Sequence, residues 1–124
     1  MKKSHAGRAK RDGLTYDQVC RLARELPGVE EGTSYGTPGL KVRGKFLTRL
    51  REEGVLVVKV GTMIERDYLL TRDPTVFYIT DHYRDYPAVL VRLAHVTETD
   101  MRELLTASWR RVAPRRLVAE FDAM

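Results

Sequence analysis

The stretch from Leu40 to Val60, LKVRGKFLTRLREEGVLVVKV, alternates apolar and charged side chains and is cut by glycine at Gly44 and Gly54. A period of two puts successive side chains on opposite faces of a strand, and glycine supplies the left-handed backbone that tight hairpins need. The segment therefore predicts consecutive antiparallel strands whose apolar face must be covered by another layer. Reading Glu52–Gly54 as a three-residue loop sets Arg51 opposite Val55, Leu50 opposite Leu56, Thr48 opposite Val58 and Phe46 opposite Val60. An odd loop at Arg43–Lys45 pairs Val42 with Phe46 and Leu40 with Thr48, continuing the same apolar face. An even loop would mix Leu40 with Arg49, so the odd one is the more consistent. The other face then collects Lys41, Arg49, Arg51 and Lys59 together with Leu47, Val55 and Val57.

The flanking segments read as helices. Thr15 and Gln18 have capping-box spacing, and Val19, Leu22, Ala23 and Leu26 follow at helical spacing, giving a helix over 15–26 stopped by Pro27 and Gly28. Thr62 and Glu65 open a second helix that ends before Asp73 and Pro74. TVFYI and YPAVLVRL read as strands joined by the polar, aromatic connection TDHYRDY. Met101, Leu104, Leu105, Ser108 and Val112 mark a third helix stopped by Pro114, with RRLVAEF as a short coda. This order predicts an α+β two-layer sandwich, an antiparallel-rich sheet with helices packed mainly on one face.

A chain of 124 residues fits one domain. The net charge of +5 is less informative than its location. Lys2, Lys3, Arg8, Lys10 and Arg11 lie in an opening stretch with no acidic residue; removing those five from the 22 basic residues leaves 17, which balance the 17 acidic ones. Residues 12–124 are thus formally neutral; residues 1–13 are expected to form a basic flexible arm, and residues 14–124 a single domain. Only charge gathered on one face could then support polyanion binding. The basic start is not followed by the apolar stretch of a secretory signal, and no run approaches the ~18 apolar residues of a membrane span. A cytoplasmic location without membrane association is the expectation. Cys20 has no partner for an internal disulfide, and His5, His82 and His95 are too scattered to form a zinc motif with it, so no metal and no cofactor are expected.

No phosphate-cradling glycine loop, nucleophile elbow or metalloprotease motif is present, and a non-enzymatic role is expected. His82, beside Asp81, Tyr83, Asp85 and Tyr86, has the surroundings of a general base, but no nucleophile has a defined relation to it. With Tyr83, Tyr86 and Trp109 it makes a candidate small-ligand pocket; the competing account is a histidine pinning a loop and a tryptophan anchoring a helix. Arg102 and Arg110, eight residues apart on the third helix, could grip phosphates or simply be solvated. The mixed sheet face also suits a protein partner, self-association or a covering segment.

Several ordered motifs, SYGTP, the RGK turn, HY followed by YPAVLVRL, and SWRRVAP, resemble the MmcQ/YjbR family of small bacterial proteins across about residues 22–119. The resemblance implies a compact sandwich of sheet and helices, and a double-wing mode of DNA binding. It makes the turn carrying Lys41, Arg43 and Lys45 the candidate wing. The expected function is thus weak, salt-sensitive DNA binding with limited sequence preference. Arg43 and Lys45 would meet phosphates at the tip, and Lys41, Arg49, Arg51 and Lys59 would extend the track.

Overall fold

A computed structural model describes residues 13–124; the expected basic arm, apart from Gly13, lies outside the described residues. Six strands, β1 (Val29–Ser34), β2 (Thr37–Val42), β3 (Lys45–Glu52), β4 (Val55–Lys59), β5 (Phe77–Tyr78) and β6 (Ala88–Arg92), form one antiparallel sheet. Their order is β1-β2-β3-β4-β6-β5. Four α-helices accompany them among the described residues: α1 (Tyr16–Ala23), α2 (Met63–Arg72), α3 (Glu98–Val112) and α4 (Arg115–Ala123). The α+β class with an antiparallel sheet is borne out.

The expected caps are present. Thr15 and Gln18 close a reciprocal capping box on α1, and Thr62 and Glu65 do the same on α2, each satisfying helix-end N–H groups that would otherwise lack partners. The strand β1, VEEGTS, is exposed along most of its length and has no apolar alternation, so its sequence carries no strand signal. It forms because the free edge of β2 offers a ladder of unpaired backbone groups. The coda is in fact the helix α4, which buries Leu117.

The register confirms Leu40 opposite Thr48, Thr48 opposite Val58 and Leu50 opposite Leu56. The expected odd loop at residues 43–45 is corrected. Val42 pairs with Lys45, leaving Arg43 (φ 50°) and Gly44 (φ 83°) as a two-residue loop with positive φ at both positions, as a type I′ turn requires. The odd residue is instead a bulge, because Lys41 pairs with Phe46 while Leu40 pairs with Thr48, leaving Leu47 extra. Leu47 thereby enters the helix-side core, 1% exposed, and Phe46 moves to the opposite face. At the next hairpin Gly54 is left-handed as expected, at φ 79°, but Val55 pairs with Glu52 rather than Arg51.

The main core lies between sheet and helices and includes Leu40, Val42, Leu56, Val58, Val89 and Val91 from the strands and Val19, Met101, Leu105 and Trp109 from the helices. Burying these side chains contributes about 1.5–3 kcal/mol each. A second, smaller apolar cluster sits on the other face of the sheet, where Val55, Val57, Ala88 and Leu90 pack with Tyr78 and Tyr83.

Candidate functional site

The face of the sheet away from the helices carries a cleft of about 920 Å³. Its floor is Lys41 from β2, Phe46 and Arg49 from β3 and Val57 and Lys59 from β4. One rim is the β1–β2 turn with Thr33, Ser34 and Tyr35, and the other is the segment with His82, Tyr83, Tyr86 and Pro87. The cleft depends on the bulge in β3, since a regular strand would have turned Phe46 toward the helices.

Each rim has an identifiable local cause. Tyr35 (φ 54°) and Gly36 (φ 80°) form a two-residue loop between the paired Ser34 and Thr37. A bulky residue in the left-handed region is strained. The opposite rim is a 3-10 turn at Asp81–Tyr83, in which the N–H of Tyr83 donates to the carbonyl of Thr80 at 2.9 Å. Arg66 of α2, 8% exposed, holds this segment from behind. Its Nη1 donates to the carbonyls of Arg84 at 2.6 Å and of Tyr83 and Tyr86 at 3.3 Å, while its Nη2 lies 2.9 Å from Asp67. Tyr83 packs against the cluster that holds Val55 and Val57, so part of the apolar surface expected on the basic face is covered by the chain itself.

The cleft is electropositive. Lys41, Arg49, Lys59 and His82 line it, and no Asp or Glu does among the described residues. The Lys59 ammonium lies 5.2 Å from the Phe46 ring centroid and the Arg49 guanidinium 5.1 Å from that of Tyr35, so both cations sit against aromatic faces. Arg49 Nη1 also donates to the Leu50 carbonyl at 3.2 Å and to Thr37 Oγ1 at 3.3 Å, which orients it without neutralising it. The His82 ring meets Tyr83 edge to face at 4.8 Å. Among the described residues no group of His, Cys, Asp and Glu is arranged to hold a metal ion.

The structure thus unites two expected clusters and divides each. Lys41, Arg49 and Lys59 share the cleft with His82, Tyr83 and Tyr86. Arg43 does not join them: its Nε lies 3.6 Å from where a Cβ on Gly28 would stand, on the side of Val42 and Leu117. Lys45 pairs with Val42, on the helix side at the exposed tip. Arg51 falls at the β3 irregularity and pairs with Glu52 at 3.0 Å. The four-residue pocket is likewise corrected, because Trp109 is fully buried in the helix-side core and its Nε1 donates to the Pro27 carbonyl at 2.8 Å. The helix arginines are occupied as well: Arg102 pairs with Glu98 and Glu25, Arg110 with Asp122, and Arg111 donates to the Lys59 carbonyl. Sequence reasoning missed Phe46, Tyr35 and Arg66. An arginine one turn inside a helix and an aromatic before glycine carried no signal that distinguished them from surface residues.

A family model described as YjbR matches residues 24–111, spanning all six strands and most of α3. The chain belongs to the YjbR family. Relatives within reach of this YjbR chain include the uncharacterized protein Mb2600 of Mycobacterium bovis and the uncharacterized proteins Rv2570 and MT2646 of Mycobacterium tuberculosis. Each is 32% identical, with the alignment covering 88% of this chain and 96% of the relative. The matched YjbR segment contains every residue that lines the cleft. No helix among the described residues is long and apolar enough to cross a membrane.

Proposed function

We propose that this YjbR protein is a non-enzymatic, cytoplasmic nucleic-acid-binding domain that engages its ligand on the open sheet face. The observation that carries this reading is the lining of the cleft, where three permanent cations and four aromatic rings are gathered with no carboxylate among the described residues. In a domain whose charges nearly balance overall, such segregation supports local attraction of phosphates and gives bases a surface to rest on. Lys41, Arg49 and Lys59 are the phosphate contacts, and Arg43 and Lys45 are peripheral. The self-association alternative rested partly on exposed Val55 and Val57, and their burial removes that apolar surface.

The test is fluorescence anisotropy with labelled oligonucleotides across a series of salt concentrations, using the full chain. Three phosphate contacts contribute about −2 to −3 to the slope of log K against log salt. Lys41→Ala/Lys59→Ala should remove about two-thirds of that contribution, whereas Arg43→Ala/Lys45→Ala should change it less. Absence of binding at low salt, or an unchanged slope in the Lys41/Lys59 variant, would refute the assignment.

A further inference from the structure

We infer that the cleft accepts unpaired nucleotides of a single strand rather than a duplex, with bases stacked on Tyr35 and Tyr86 and the backbone running past Lys41, Arg49 and Lys59. This deepens the nucleic-acid reading above and rests on it.

Three observations support it. The first is shape. Duplex readers insert a protruding helix or ribbon into the major groove, which is about 12 Å wide. Here the cations lie on the floor of a concave cleft of about 920 Å³ between two rims, so the ligand must enter the protein. A strand with splayed bases can do so, whereas paired bases present only their edges.

The second is Tyr35. Its backbone occupies the left-handed region at φ 54°, where glycine or asparagine is favoured, and its side chain is 87% exposed. Neither packing nor turn geometry calls for a tyrosine at this position. The ring is nevertheless backed by the Arg49 guanidinium at 5.1 Å, which braces it at the cleft margin. A strained, exposed aromatic beside a cation is suited to stacking on a base.

The third is the opposite rim. Tyr86 is 56% exposed, yet its main chain is fixed, because its carbonyl accepts from Arg66 Nη1 at 3.3 Å and from the Ala88 N–H at 2.8 Å. A rigid backbone carrying an exposed ring loses little freedom when a base stacks on it. The cleft therefore has an aromatic platform on each rim and phosphate-binding cations between them. Stacking is tolerant of sequence, because every base has a π-face.

The experiment compares a labelled single strand, as DNA and as RNA, with the duplex of the same sequence across the same series of salt concentrations. The full chain is used as wild type, Tyr35→Asn, Tyr86→Ala, Tyr35→Phe and Tyr86→Phe. Asparagine tolerates the left-handed turn, and retention of the wild-type thermal midpoint establishes that each variant is folded. The expected result is a single strand bound at least about tenfold tighter than the duplex. Tyr35→Asn and Tyr86→Ala should each weaken it by about fivefold or more, the phenylalanine variants by less than about twofold, and none should alter the salt slope. Equal duplex affinity, or a single strand indifferent to both tyrosines, overturns this inference. If such binding still depends on Lys41 and Lys59, the nucleic-acid reading survives. If neither form binds at low salt, both fall.

Discussion

Replacing Arg66 tests how the cleft is built. The side chain is 8% exposed and donates from one nitrogen to three carbonyls of the rim segment, at 2.6, 3.3 and 3.3 Å. Only the bond to Arg84 has good length, and a hydrogen bond to a charged donor contributes about 1.5–3 kcal/mol. The ion pair with Asp67 adds little, since that carboxylate is 61% exposed. Arg66→Met keeps the aliphatic stem, removes the donors and leaves carbonyls that water can reach in part. The expected loss is about 2–3 kcal/mol, a fall in melting temperature of the order of 10 °C. Hydrogen exchange should locate it, with protection lost first at the amides of Tyr83, Arg84, Tyr86 and Ala88, all bonded within this segment. Single-strand affinity should drop with it. A midpoint within about 2 °C of wild type would refute the anchoring role. A lower midpoint with unchanged rim protection would mean that Arg66 acts by packing α2 instead.

Other expectations concern the helix side. Trp109→Ala should cost about 3–5 kcal/mol in chemical denaturation, because it empties a fully buried site and strands the Pro27 carbonyl; its indole fluorescence in the wild type should be insensitive to ligand in the cleft. Cys20 is 3% exposed and burial pushes its thiol up, against the opposing hydrogen bond from Tyr16, so an aromatic disulfide reagent at neutral pH should label it only after denaturant is added. Asp122 is held below its ordinary value of 3.8, first by its hydrogen bond with Arg110, so the stabilisation is present above that value and fades as pH falls through the depressed one. Amide shifts of α4 in an acid titration should show this loosening in the wild type and not in Asp122→Asn.

Patterns local in the chain determined much of this protein. The alternation from Leu40 to Val60 gave the hairpins and the register of Leu40, Thr48, Leu50, Leu56 and Val58, and the two capping boxes gave the starts of α1 and α2. Those features depend on backbone periods and on side chains within one turn, so they are written in consecutive residues. Tertiary structure decided the rest. Whether the odd residue of the β2–β3 hairpin sat in its loop or in a bulge turned on how Leu47 and Phe46 packed, and that choice moved Phe46 onto the cleft floor. β1 exists because of its neighbour, and Arg66 meets the rim only because α2 lies behind it, across about twenty intervening residues. The sequence named Lys41, Arg49, Lys59, His82, Tyr83 and Tyr86 separately; folding the 80–87 segment over the sheet makes them one surface, and the same folding sends Trp109 to the opposite side. Charge shows the same division, since the sequence puts its net excess of +5 in the opening eleven residues and balances signs over the rest, but only the fold gathers the cations where no carboxylate among the described residues answers them.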